Sequence, residues 1–372
     1  MIFELVTTRN CNLNCKYCFE GEKTNEVMLP SKIAIILEFI NNYLEQNFIE
    51  DKEHVVIDFN GGEALLNKQF ITSFINATTE KNYSYAITTN GILLDNDIIQ
   101  LIKEKRIRLQ ISLDGKRESH NLNRITKDNH GSFDQVIEKL IMLKERELSA
   151  SVDISLVVTP ETVDKLSENI LYILNLGFHK IYASYCADYQ WSEESLRIFS
   201  IQLNNLRKIY NDFYNQGIPI YISLISENIE STLRHCKKPL CGACIDCIAI
   251  LPNGNILPCG GFVGCDNEDD ICIGNIYSGI DPKRINFYLE HKDLSLNNEE
   301  CKICKLLSRC HHNCLAVNNR VEGSCLKIPE CTCNINQMAI FESEQILIDL
   351  LQNKTFQQNY QDFMNLEESV IN

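Results

Sequence analysis

Three cysteines, Cys11, Cys15 and Cys18, stand at C-x3-C-x2-C spacing within Thr7-Thr8-Arg9-Asn10-Cys11-Asn12-Leu13-Asn14-Cys15-Lys16-Tyr17-Cys18-Phe19-Glu20. Three thiolates on a cubane iron–sulfur cluster leave one iron without a protein ligand. That iron is a place for a small molecule to bind and receive an electron. A zinc loop with its fourth ligand elsewhere is the plainer alternative. A second set lies far downstream: Cys241, Cys244, Cys247 and Cys259, then Cys301-x2-Cys304-x5-Cys310-x3-Cys314, then Cys331 and Cys333. Four cysteines at short fixed spacings suit a metal or cluster site, with zinc ribbons built from the CxxC pairs as the other reading.

Composition narrows the compartment and the partners. The 18 cysteines of this 372-residue chain crowd into 11–18 and 236–333, with Cys186 alone between them. A secreted disulfide protein would also use many cysteines. This chain is long enough to need no staples, and no basic, apolar leader precedes the first cysteine loop, so a reducing, cytoplasmic setting is expected. The formal net charge of −15 disfavours a nucleic-acid partner. No run of 18 apolar residues predicts a membrane span.

The elements that must position these groups alternate. Strands are expected at Ile2–Val6, Val55–Phe59, Ser84–Thr88, Arg108–Leu113, Val152–Val158 and Lys180–Ser184, with helices such as Ser31–Glu45, Phe133–Arg146 and Glu161–Leu176 between them. Ser132 followed by Gln135 reads as a capping box for the second of these helices. Six β/α units in a row imply a parallel sheet whose functional residues gather past the strands' C-terminal ends. Periodicity alone leaves a doubly wound sheet open. Beyond them an amphipathic helix over about 191–217, a β-like run Ile218–Ile225, a Pro252-Asn253-Gly254 hairpin and a helix from Ile335 are expected.

The residues past each strand carry a resemblance. After the first comes the cysteine loop with aromatic Tyr17. After the second comes Asn60-Gly61-Gly62-Glu63, after the third Thr88-Thr89-Asn90-Gly91, and after the fourth Ser112-Leu113-Asp114-Gly115, with Arg124 beyond. In this order they resemble the motifs of the radical S-adenosylmethionine (radical SAM) enzymes. The resemblance implies an α/β fold, an incomplete (β/α)6 TIM-like barrel. It implies a [4Fe–4S] cluster on Cys11, Cys15 and Cys18, whose open iron is chelated by S-adenosylmethionine (SAM). One electron then yields a 5′-deoxyadenosyl radical that abstracts hydrogen from substrate. Tyr17, Gly61, Gly62, Glu63, Asn90, Ser112 and Arg124 would contact SAM. Glu63 and the neighbouring carbonyls suit its amino group, and the Arg124 fork suits its carboxylate.

The downstream cysteines resemble a SPASM domain, a small cysteine-rich extension found in one radical SAM subfamily. That implies two auxiliary [4Fe–4S] clusters, one on Cys241, Cys247, Cys259 and Cys314, the other on Cys301, Cys304, Cys310 and Cys331 or Cys333. Cys333 is preferred because the expected helix starts after it. Cys244 could replace Cys247, and Cys236, Cys265, Cys272 and Cys325 are surplus. Cys186 reads as a buried thiol and the His311-His312 pair as no ligand. The resulting organisation is a partial barrel over 1–190, a bridge over 191–235, the auxiliary-cluster domain over 236–345 and a polar tail over 346–372.

Enzymes of this kind mostly act on peptides or proteins and draw electrons from a flavodoxin or ferredoxin. A maturase that forms a thioether or other oxidative crosslink in a ribosomally made peptide is the leading expectation. Sulfatase-maturing members place an Asp base after the cysteine that here is Cys259. This chain has Gly260, which disfavours formylglycine formation without removing it, and Asp266 is a remote substitute. Many crosslinking members also carry a peptide-binding domain ahead of the barrel, whereas this sequence opens on the first strand. A non-catalytic metal scaffold is the third reading.

Overall fold

A computed structural model describes residues 1–47, 54–234, 241–293, 298–310 and 314–357. Its strands are β1 (Ile2–Thr8), β2 (Val55–Gly61), β3 (Tyr83–Thr89), β4 (Arg108–Ser112), β5 (Val152–Val158), β6 (Lys180–Tyr185), β7 (Tyr221–Ile222), β8 (Cys247–Ile250), β9 (Asn255–Leu257), β10 (Gly274–Asn275) and β11 (Gly279–Ile280). All six expected barrel strands are present, with ends within two residues of the expected ones. The six β/α repeats of the expected incomplete barrel are therefore in place, followed by the cysteine-rich segment. Cys236, His311, His312 and tail residues 358–372 lie outside the described residues.

The chain divides into two compact units. One comprises Met1–Ser112, Asn123–Ser151 and Cys241–Lys292. Its strands run in the order β11-β10-β9-β8-β1-β2-β3-β4. β1 to β4 are mutually parallel, and β8 is parallel to β1 on the other side. The β8–β9 hairpin turns at Pro252-Asn253-Gly254 as its turn chemistry requires, and β10 and β11 continue the antiparallel run. Strand alternation sorts the side chains. Phe3 meets Tyr43 of the helix Ile33–Gln46 at 5.9 Å between rings, and Phe59 meets Phe74 of the helix Lys68–Ala77 at 5.7 Å. Phe3 and Phe59 are fully buried, and each contributes about 1.5–3 kcal/mol by leaving water. Their strand neighbours Glu4, Asp58 and Asn60 consequently share the opposite sheet face.

The other unit comprises Leu113–Leu122, Val152–Leu240 and Asp293–Asn372. β5, β6 and β7 are parallel. The helices Glu193–Asn215 and Glu330–Gln352 pack together, joined by the Arg207–Asp349 ion pair and by Asn204 donating to Glu342 at 3.2 Å.

Three local expectations change. Ser132 makes no side-chain cap, because its ψ of −2° is helical rather than extended. Its hydroxyl instead donates to the Arg124 carbonyl at 2.8 Å. The β-like run Ile218–Ile225 is strand only at Tyr221–Ile222 and then becomes the helix Ser223–Leu233. The Ser226 hydroxyl oxygen accepts from Ile222 N–H at 2.9 Å and so holds that turn into the helix. Finally, the last long helix starts at Glu330 behind Pro329. Cys331 and Cys333 both lie in its first turn, so the helix boundary does not separate them. Proline is suited to a helix start because it has no N–H to orphan.

Candidate active site

The cysteine loop leaves β1 and is pinned by its own backbone. Asn14 N–H donates to Ile125 O at 2.7 Å, Lys16 N–H to Asn123 O at 3.0 Å, and Cys18 N–H to Cys15 O at 3.1 Å. Leu13, buried, bridges to Thr126 and anchors the middle. These bonds carry segment 123–126 to the loop, and the Arg124 guanidinium lies 5.3 Å from the centre of the Tyr17 ring. Two of the expected SAM contacts are thus brought together, with Ser132 holding the Arg124 backbone. Cys11 is buried, Cys15 half-buried and Cys18 exposed. Burial pushes the Cys11 thiol up to about 12. Lys23 Nζ stands 3.1 Å from Cys18 Sγ and 3.0 Å from Glu20 Oε2.

The two glycines after β2 answer to a close backbone approach. A Cβ on Gly61 would stand 2.3 Å from Thr8 O, and one on Gly62 would stand 2.3 Å from Asn10 O. Gly61 also has φ +129°, which favours glycine. Gly62 N–H donates to Thr8 O and Glu63 N–H to Asn10 O, so the turn is stitched directly to the cysteine loop.

Glu63 works hard inside the protein. Its Oε1 accepts from Leu65 N–H at 3.0 Å and from the Thr89 hydroxyl at 2.6 Å, and its Oε2 accepts from Asn90 N–H at 2.8 Å. Burial raises its pKa, and these bonds oppose the shift. Asn90 closes the circuit, its amide donating to Asn12 Oδ1 at 2.8 Å and its carbonyl oxygen accepting from Ile92 N–H. The ends of β1, β2 and β3 are thereby one hydrogen-bonded surface. Ser112 ends β4 half-buried. Asp114 and Gly115 build the turn in the other unit, where Asp114 Oδ1 accepts from Val157 N–H at 3.0 Å.

The downstream cysteines fall into two groups. In the first unit Cys244 feels Cys259 and Cys241, and Cys259 feels Cys247, whose own thiol is directed to Gly242 O at 3.5 Å. Cys244 holds φ +64° and its N–H donates to Cys247 O and Pro258 O. In the second unit Cys301 feels Cys333 and Cys304, while Tyr185 feels Cys331, Cys314 and Cys310. Cys314 lies in the second unit, and Cys241, Cys247 and Cys259 lie in the first. Cys186 is buried, with its thiol directed to Asp188. Cys265, Cys272 and Cys325 are likewise buried.

The donor set suits an iron–sulfur cluster: three soft thiols on one loop, one deep and one beside an ammonium. Among the described residues no three Cys, His, Asp or Glu side chains already stand as a metal-ligand group. The fit therefore rests on donor chemistry and on the pinned loop. Among the described residues no helix is long and apolar enough to cross a membrane.

Sequence reading missed two groups here. Arg9, two residues before Cys11, pairs with Glu268 at 2.7 Å. Glu4 and Asp58 are deep carboxylates on β1 and β2. A single acid in the middle of each of two apolar strands was the available signal.

Comparison with known proteins agrees with this geometry. The radical SAM superfamily model matches residues 5–173. A cysteine-type anaerobic sulfatase-maturating enzyme of Clostridium perfringens is 24% identical over 86% of this chain and 89% of its own length. The radical SAM cyclopropyl synthase TigE of Paramaledivibacter caminithermalis is 23% identical over 91% of this chain and 72% of its own. Among solved structures, anSMEcpe with bound AdoMet superposes with a TM-score of 0.79 at 21% identity, covering 98% of each chain. SuiB of Streptococcus suis, bound to the precursor peptide SuiA, gives a TM-score of 0.58 at 16% identity, covering 89% of this chain and 75% of its own. The three-cysteine loop, the stitched strand ends and these matches agree: residues 5–173 are a radical SAM domain, and over most of its length the chain is similar to anaerobic sulfatase-maturating and peptide-modifying radical SAM enzymes.

Proposed function

We propose that this enzyme oxidatively modifies a peptide, forming a thioether or other crosslink. Cys11, Cys15 and Cys18 would hold the [4Fe–4S] cluster. The cluster with SAM, when bound, supplies one-electron cleavage and hydrogen abstraction. The chain's own residues place the ligand. The Gly61–Gly62 turn lets backbone carbonyls approach its ammonium, while Arg124, stacked by Tyr17, offers the fork for its carboxylate. Asn90, fixed by Asn12, and Ser112 are the polar groups for its sugar. Glu63 acts mainly by holding this frame, since three of its acceptor positions are already used. The downstream cysteines would hold two auxiliary clusters, with Cys333 the ligand beside Cys301. The setting is cytoplasmic, with a flavodoxin or ferredoxin as electron donor.

The observation that carries the crosslinking reading is Gly260. The position holds no side chain where a sulfatase-type base would stand, and a Cβ there would lie 2.1 Å from Glu4 Oε2, so such a base would first have to displace the Glu4 carboxylate. The sulfatase-maturase reading keeps its own support, because relatives of that name align over most of both chains. Intact mass of a short peptide encoded beside this gene, co-expressed with the protein or with Cys11→Ala, tests the two. Cys11-dependent loss of paired hydrogens supports the crosslink. Conversion of a sulfatase peptide's cysteine to formylglycine instead overturns it.

A further inference from the structure

Glu4 and Asp58 are direct partners in the β1–β2 register. They lie on the sheet face turned away from the helices that cover Phe3 and Phe59. Both carboxyls sit deep in the protein. Burial first, then repulsion from Asp58, pushes Glu4 up to about 7, and burial pushes Asp58 up to about 6. The Gly260 amide and the Asn60 side chain favour ionised Glu4 without cancelling this. Three acceptor oxygens on the patch meet no hydrogen-bond donor: Glu4 Oε2, Asp58 Oδ1 and Asn60 Oδ1. A buried acceptor left without a donor is costly, so each is a reason for a donor to bind. The three oxygens themselves are closed to solvent, while Glu4, Asp58 and Asn60 each keep another part of their surface accessible, so an ammonium reaches them by a small shift of these side chains. Gly260 leaves room for it, since any side chain there would displace the Glu4 carboxylate.

We propose that Glu4, Asp58 and Asn60 form a subsite for an ammonium group of the peptide substrate. An ammonium brings three donors, one positive charge and no acceptor, which matches three orphan acceptors and two acids. A hydroxyl would bring one donor and no charge. The ammonium can come from a lysine side chain or from a peptide N-terminus. The inference rests on the peptide-modifying reading and names what part of the peptide this enzyme grips.

The test uses the reconstituted holoprotein and three probes: N-acetyl-Gly-Lys-Gly-amide, N-acetyl-Gly-norleucine-Gly-amide and Gly-Gly-Gly-amide with its amine free. Titration calorimetry should find at least tenfold tighter binding of an amine-bearing probe than of the norleucine probe. The stronger of the two amine probes assigns the source. The preference should vanish in the near-isosteric Glu4→Gln/Asp58→Asn double variant. It should also fall in Gly260→Ala, which moves Glu4 without removing a charge and carries the test should the double variant fold poorly. Equal binding of all three probes overturns the subsite, as does a preference that survives both variants. Release of 5′-deoxyadenosine from SAM, measured on the same samples without peptide, is separate. Its absence in the wild type sinks the reaction reading, whereas its presence without amine preference sinks only the subsite.

Discussion

Gly62→Ala isolates what the turn after β2 does for the cysteine loop. Unlike Gly61, Gly62 has no positive φ, so the substitution adds bulk without backbone strain. The new Cβ would stand 2.3 Å from Asn10 O and 2.7 Å from Asn10 C, whereas ordinary contact begins at 3.4 Å. Both neighbours are backbone, immediately before Cys11, so no rotamer relieves the overlap. The loop must retreat by about 1 Å, and a displacement of that size costs an enzyme on the order of 100-fold, or about 2.7 kcal/mol of barrier. The assay is anaerobic reconstitution with iron and sulfide, followed by release of 5′-deoxyadenosine from SAM. The variant should lose about 100-fold in release while its far-ultraviolet dichroism stays wild-type. A variant that cleaves SAM within about threefold of wild type would refute the claim that this contact sets the loop's position.

Three more outcomes follow from the same geometry. Glu63→Ala strips acceptors from Leu65 N–H, Asn90 N–H and the Thr89 hydroxyl, so thermal unfolding should show a loss of roughly 3 kcal/mol or more. Cys11→Ala should abolish SAM cleavage and reduce bound iron, while Cys186→Ala keeps both; a chelator that removes iron should reproduce Cys11→Ala. The folded-state values of Glu4 and Asp58, about 7 and about 6, lie above their ordinary values of 4.5 and 3.8. The folded state therefore binds more protons, and stability from this pair falls as pH rises from about 4 to about 7. Denaturant titrations of Glu4→Gln/Asp58→Asn should show a flatter pH dependence there, and an unchanged slope would contradict the burial argument.

Much of this was legible because periodicity and punctuation agree in the first half of the chain. Val152–Val158 is β-rich and bounded by turn residues, and its ends match the expected ones. The cysteine loop, the double glycine and Asn90 stand at strand ends, where a parallel sheet puts function. What sequence could not supply was the partner of each polar group. Ser132 has the right neighbours for a capping box, yet its helical ψ sends the hydroxyl to Arg124 instead. Glu63 looks like a ligand in sequence, and only the fold shows Thr89 and Asn90 consuming its oxygens. Nothing in the sequence around Glu4 marks it as deep. It is deep because β8, from residue 247 onward, pairs on the far side of β1.

That last pairing bears on how the chain is made. β1 lies between β2 and β8, and β8 begins 245 residues after β1 does. A ribosome adding about 5–20 residues per second needs roughly 12–50 s to cover that interval. Throughout it the nascent chain holds a strand with one bare edge, which is a template for wrong pairing. The same wait separates the first three cysteines from Glu268, the residue whose carboxylate clasps Arg9 at the root of their loop. Any iron that met the loop before residue 268 was made would meet it without that clasp. A chain released early, near residue 240, would present both the bare strand edge and an unclasped thiol loop to the quality-control proteases of the cell.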